Sequence, residues 1–296
     1  MKVLVFGGSG LVGSRFIELK KNQFEIKSPD AKEVDILDQA KVSQEIEQFN
    51  PDAVINFAAY TNVEEAEKDQ GNIEGICYKI NVVGAKNIVD ACRAKGKYLI
   101  HISTEYVFDG TKSDSPYTEE DTPNPINWYG KTKYLAEQEI GEDNLIVRIS
   151  MPYRSKYEVK KDVARFFLEQ LKNGNSVKAI TDQKITPTLV DDISHSLAVL
   201  VEKKPTGIYH VSSKSPTTPF EFAKVIAQTF NLDLSLISEI SLDEYNQTKL
   251  AKLLKYSWLD CSKFVSEFPQ ILHSVRESMD LFKRAVDPDL IGVDEE

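Results

Sequence analysis

Val3-Leu4-Val5-Phe6-Gly7-Gly8-Ser9-Gly10-Leu11-Val12-Gly13 decides the fold of this 296-residue chain. The four leading residues form a short, unbroken apolar run, as expected of a strand buried on both faces. Residues 11–22 then repeat with helical spacing, placing Leu11, Val12, Phe16 and Leu19 on one side. Between them, Gly7, Gly10 and Gly13 make a G-x-x-G-x-x-G turn. Glycines there permit a tight bend and let backbone N–H groups approach a pyrophosphate at the positive end of the helix. A glycine-rich loop without a ligand is the plainer alternative. The position after a first strand and before a first helix is the context that gives the motif its meaning, so the turn predicts a dinucleotide site.

Working outward, Phe24–Lys27, Glu33–Ile36, Ala53–Phe57, Tyr98–Ile102 and Asn144–Arg148 read as further strands. They alternate with helices through Val42, Ile46 and Phe49, and over residues 79–95. Apolar strands separated by helices imply a parallel sheet covered on both faces. The expectation is an α/β fold, a Rossmann-type doubly wound sheet over residues 1–150, with part of 185–202 returning to it. A smaller α/β substrate unit follows over 151–296. It holds a helix over 162–173, a strand at Gly207–Val211, and a helix opened by Thr218-Pro219-Phe220-Glu221, with cap, proline and acid in their preferred places. An acidic tail runs from Asp287 to Glu296.

The formal net charge is −10. A broadly acidic surface repels phosphate backbones and anionic lipid, which argues against nucleic acid and membrane as partners. No apolar run approaches the roughly 20 residues of a membrane span, and the N-terminus reads as a strand rather than a signal peptide. The three cysteines (Cys77, Cys92, Cys261) stand singly, which fits a reducing cytoplasm. The four histidines are too dispersed to show metal-ligand spacing.

A ribose-binding acid is expected at the end of the second strand. The segment instead reads Ile26-Lys27-Ser28-Pro29-Asp30. Lys27 is either a partner for a 2′-phosphate or a solvated surface lysine, so the cofactor is NADPH or NADH, with Lys27 favouring NADPH. Asp35 and Ile36 are placed to reach the adenine edge. A tyrosine four residues before a lysine shares a helix face with it, and the ammonium lowers a phenol pKa that is ordinarily about 10. With 12 tyrosines and 29 lysines, about one such pair is expected by chance, and three occur: Tyr129/Lys133, Tyr157/Lys161 and Tyr245/Lys249. Only the first follows a strand that ends in hydroxyls, Ser103-Thr104.

The ordered set Gly7/Gly10/Gly13, Ser103-Thr104-Glu105-Tyr106-Val107-Phe108-Asp109-Gly110 and Tyr129-Gly130-Lys131-Thr132-Lys133 resembles an extended short-chain dehydrogenase/reductase. More narrowly it is similar to the dTDP-4-dehydrorhamnose reductase family. Asn56-Phe57-Ala58-Ala59-Tyr60-Thr61-Asn62-Val63, Asp182-Gln183 with Pro187-Thr188, and Gly207-Ile208-Tyr209-His210-Val211-Ser212 add to the match. The resemblance implies that Tyr129 gives a proton to a keto oxygen. Lys133 holds the nicotinamide ribose and depresses the tyrosine pKa, and Thr104 hydrogen-bonds the substrate oxygen, with Ser103 as its nearest rival. Ala58, Ala59 and Tyr60 line the nicotinamide side, while Thr61, Val63, Thr104, Glu105 and Met151 face the substrate. The implied activity is reduction of a 4-keto nucleotide-sugar. The resemblance leaves oligomeric state open, a homodimer among the options.

Departures gather in the substrate half. Ile149-Ser150-Met151-Pro152-Tyr153-Arg154 lacks the family's tryptophan and glycine, Lys252–Asp260 lacks an Arg-Pro pair, and Glu105 stands where an Asp is usual. Arg154, Lys178, Lys252 and Lys255 are candidates to meet a diphosphate, against surface cations in solvent. Two other readings share the resemblance: an epimerase or dehydratase with the same catalytic set, and a regulatory subunit like the β subunit of methionine adenosyltransferase.

Overall fold

Side chains of consecutive strand residues point to opposite faces, and in Lys2–Phe6 (β1) all four apolar residues are buried. Both faces of the sheet must therefore be covered, and the computed structural model, which describes residues 1–287, shows how. Val3 and Val5 join Phe16 from Leu11–Lys20 (α1) and Ile193, Leu197 and Val201 from Val190–Lys203 (α6) in one apolar cluster. Leu4 and Phe6 meet Val42 and Ile46 from Gln39–Phe49 (α2) and Ile88 from Ala85–Ala94 (α3) on the other side.

The sheet has six strands. Glu25–Lys27 (β2), Ala53–Asn56 (β3), Tyr98–Thr104 (β4), Leu145–Ile149 (β5) and Gly207–Val211 (β6) lie in the order β2-β1-β3-β4-β5-β6, all parallel. The order reverses between β1 and β3, which opens a crevice at their carboxyl ends, the usual ligand position in such sheets. Gly7, just past β1, has φ +77°, and a Cβ there would lie 2.4 Å from the Ala58 nitrogen after β3. Only glycine lets the two strand ends come this close.

Three local expectations need correction. Glu33–Ile36 is not a strand: Asp30 accepts the N–H groups of Lys32 and Glu33, and Asp35 that of Leu37, so side chains hold the backbone in turns. The helix expected over 79–95 begins as a π-helical segment, Lys79–Gly84, before α3. Gly207–Val211 is not part of the smaller unit but pairs along its whole length with β5, Leu145 opposite Gly207 and Ile149 opposite Val211.

A second apolar cluster gathers Tyr153, Phe167, Leu171, Phe222, Ile226 and Phe282. These come from Val163–Lys172 (α5), Pro219–Thr229 (α7) and Val275–Val286 (α8), beside two-stranded pairings of Val177–Ile180 with Ile237–Ile240 and of Pro152–Tyr153 with Thr188–Leu189. The tail beyond Asp287 lies outside the described residues. Among the described residues no helix is long and apolar enough to cross a membrane, and no cluster of metal-binding side chains occurs.

Candidate active site

A cleft of about 530 Å³ runs from the glycine turn to the end of β4. At one end lie Gly10, Leu11, Val12 and Gly13. Gly10 opens α1 with no side-chain cap, so the first amides of the helix have no partner within it. A Cβ at Gly13 would come within 2.7 Å of the Gly7 carbonyl. Bare amides at a helix N-terminus, stripped of side chains that would block approach, suit a pyrophosphate. Replacing Gly7 with alanine costs about 1–2 kcal/mol for the left-handed backbone alone and pushes the turn off Ala58. A lower melting temperature and weaker NADPH binding in a fluorescence titration are expected, and unchanged binding would remove the turn from the site.

At the other end Ser103, Thr104 and Glu105 end β4, and Tyr129 and Lys133 face them from Trp128–Ile140 (α4). Asn127 caps α4 by accepting the Gly130 N–H at 2.8 Å. Gly130 allows the helix end to abut the turn after β4, since a Cβ would strike the Tyr106 carbonyl at 2.1 Å. Tyr129, Lys133 and Glu137 follow one another on a single face of α4. Glu137 accepts from Ser103 Oγ at 2.5 Å and pairs with Arg148, so the helix is pinned to β4 and β5.

Burial pushes the Tyr129 phenol above the ordinary tyrosine range, with the Glu105 charge adding to it and the neighbouring Thr104 hydroxyl opposing it. The Lys133 Nζ is turned onto β4, donating to the Ile102 carbonyl at 2.6 Å beside His101 Nε2 at 3.1 Å. Burial also draws Lys133 down to about 8 and pushes the Glu105 carboxyl up to about 7. Glu105 accepts from Thr104 Oγ1 at 2.7 Å.

Ala59, Thr61, Val63 and Met151 line the same cleft, the last with a left-handed φ of +39° that marks strain beside the site. Gly7, Ala58 and Tyr60 stand behind its wall. Ala58 donates its N–H to Asn56, and Tyr60 donates its own to Asn81 at 2.7 Å. Asn81 sits in the π-helical segment and also donates to Thr132 of α4 at 2.9 Å, tying the two walls together. Three expected cofactor residues are not among those lining this cleft. Lys27 is 2.6 Å from Glu45, Asp35 turns onto its own backbone, and Ile36 packs on Gly84 while its carbonyl accepts from Asn87.

Sequence reasoning missed the wall formed by Tyr157, Val159, Lys160 and Lys161. Tyr157 and Lys161 are one of the rejected tyrosine–lysine pairs; they reach the cleft from a loop rather than a helix face. Tyr157 donates to the Ser9 carbonyl at 3.0 Å, and Arg154 binds Ser14 and Glu18 of α1, so this loop lies across the glycine turn. Arg154 is thus engaged with α1, Lys178 with Glu244, Lys255 with Asp182, and Lys252 with the carbonyls of Asn246 and Lys249.

A family model described as the RmlD substrate binding domain matches residues 1–287. The chain belongs to this family. The spore coat polysaccharide biosynthesis protein SpsK of Bacillus subtilis is similar, at 32% identity over 82% of this chain and 84% of SpsK. Methionine adenosyltransferase 2 subunit beta of Rattus norvegicus is 31% identical over 88% of this chain and 81% of its own length. Among solved structures, a dTDP-4-dehydrorhamnose reductase from Bacillus anthracis in complex with NADP is 30% identical, with a TM-score of 0.86 over 96% of this chain and 99% of that one. The RmlD family chain thus shares its fold, over nearly its whole length, with a solved dTDP-4-dehydrorhamnose reductase.

Proposed function

We propose that the chain is an NADPH- or NADH-dependent reductase that acts on the 4-keto group of a nucleotide-sugar, as dTDP-4-dehydrorhamnose reductases do, in deoxysugar biosynthesis. The observation that supports it most is the convergence of Thr104, Tyr129 and Lys133 at one end of a cleft whose other end is the glycine turn. Residues 1–150 with α6 and β6 form the cofactor half and the remainder the substrate half. The three thiols are free and buried, in keeping with the cytoplasm.

The bound reduced nicotinamide supplies the hydride. Tyr129, kept protonated by its burial, passes its proton to the keto oxygen as charge builds there. Thr104 would turn its single hydroxyl proton from Glu105 to the same oxygen, and Lys133 would leave the Ile102 carbonyl to hold the ribose. Thr61, Val63 and Met151 hold the sugar, and Lys160 and Lys161 stand on the cleft wall as its nearby cations.

Oxidation of NADPH and NADH with a panel of 4-keto nucleotide-sugars tests this. Stoichiometric consumption of cofactor with a reduced sugar as product supports the reductase. Sugar isomerised or dehydrated without net consumption makes the chain an epimerase or dehydratase. The similarity to a methionine adenosyltransferase subunit supports one further reading, a regulatory protein. That reading requires NADPH binding, no turnover of any sugar, and stoichiometric recovery with an adenosyltransferase.

A further inference from the structure

Thr104 and Glu105 are buried where they line the cleft, at 5% and 4% exposure. A threonine hydroxyl has one proton to give and two lone pairs to offer. Thr104 gives its proton to Glu105 Oε2 at 2.7 Å and accepts the Tyr106 N–H at 3.3 Å. Only a lone pair is then left for the cleft, and a keto oxygen arriving there meets lone pair against lone pair. When Glu105 carries a proton, the hydrogen bond can reverse. Oγ1 then accepts from Glu105 and from Tyr106, both lone pairs are used, and the Thr104 proton is free for the cleft.

We infer that Glu105 is a positioning residue that sets the direction of the Thr104 hydroxyl. Its carboxylate form holds the Thr104 proton away from the substrate, and its acid form turns that proton toward the keto oxygen. The surroundings of the carboxyl allow both forms near neutral pH. Burial pushes Glu105 up to about 7, against the neutral donors around it: the Thr104 and Ser150 hydroxyls, its own N–H and the Met151 N–H. Tyr106 beside it and Tyr129 on α4 feel its charge and stay protonated through burial. Cys77, close to Tyr129, is also held protonated by burial, and Lys133 is turned onto the Ile102 carbonyl. Glu105 is thus an acid below about pH 7 and a carboxylate above it. The donor that a ketone needs is present on the acid side and is lost as pH rises. Its effect on turnover rests on the reductase reading, but the titration needs no substrate.

The test begins with infrared titration of the full chain, where the protonated-carboxyl band lost in Glu105→Gln belongs to this residue. Its midpoint is expected at about pH 7, against about 4.3 for an ordinary glutamate. In Thr104→Val the carboxylate loses a donor and the midpoint rises by about one unit, tenfold in proton affinity. Thr104→Ser keeps the hydroxyl and the wild-type midpoint. In turnover, kcat/KM for the ketone is expected to fall about tenfold through this midpoint as pH rises, the scale of one hydrogen bond. This step lies ahead of the alkaline loss at Lys133. Glu105→Gln, whose amide donates at every pH, removes the step, and so does Thr104→Val, which has no hydroxyl to turn. The shape of the profile is what is read, whatever the absolute rate of each variant. An ordinary glutamate midpoint, a midpoint unmoved in Thr104→Val, or a step that survives in either variant would each overturn the proposal. If Thr104→Val does not fold, the wild-type titration and the Glu105→Gln profile decide. A chain with these titrations but no turnover of any sugar would sink the reductase reading and leave this one standing.

Discussion

Tyr129→Phe lowers turnover of the 4-keto substrate by about a hundredfold or more, the usual scale for losing a positioned general acid. The substitution removes one oxygen and little volume, so α4 keeps its cap at Asn127, its close approach at Gly130 and the ring contact with Tyr106 at 5.8 Å. Melting temperature and NADPH affinity should therefore stay near those of the wild type while kcat falls. Because burial holds the phenol above its ordinary pKa, the wild-type acid is fully protonated across neutral pH. Loss of activity on the alkaline side then tracks another group, and Lys133, drawn to about 8, is the nearest candidate. A Tyr129→Phe chain with full turnover would show that the keto oxygen takes its proton elsewhere.

Arg148→Met destabilises the fold by about 3–5 kcal/mol, the cost of leaving one member of a buried ion pair alone. Arg148 is among the largest fully buried side chains. It donates to both Glu137 oxygens, at 2.9 and 2.6 Å, and its guanidinium lies over the Phe108 ring at 5.1 Å. Methionine fills much of the volume but leaves the Glu137 carboxylate dry and unpaired. A fall of roughly 10 °C in melting temperature is expected at this chain length. Removing the stranded charge as well, in Arg148→Met with Glu137→Leu, should recover part of it. If the single variant melts with the wild type, the pair does not carry the junction of α4 with the sheet.

The glycine turn and the Tyr129/Lys133 pair were readable in the sequence because their chemistry is local. Spacing alone puts Gly7, Gly10 and Gly13 into one turn and Tyr129 and Lys133 onto one helix face. The sheet membership of Gly207–Val211 was not, because a five-residue apolar strand looks the same whichever partner it finds. Glu33–Ile36 mimics a strand in hydrophobicity, yet two aspartates compete for its backbone. The direction of the Lys133 side chain depends on His101, 32 residues away, and no local pattern carries that. Tyr157 and Lys161 were visible as a pair but passed over because no hydroxyl-ended strand precedes them, and a loop delivers them to the cleft all the same.

The late return of β6 also bears on how the chain is made. When the first 150 residues have left the ribosome, β5 stands as an open edge, apolar but for Arg148, whose partner is still roughly sixty residues from being synthesised. The α6 helix that covers Val3 and Val5 is likewise missing at that stage. Cofactor bound early at the glycine turn could not close this edge. Folding must wait for the intervening segment, whose own apolar cluster includes Phe167 and Leu171, so the nascent protein passes through a stage in which this edge stands exposed.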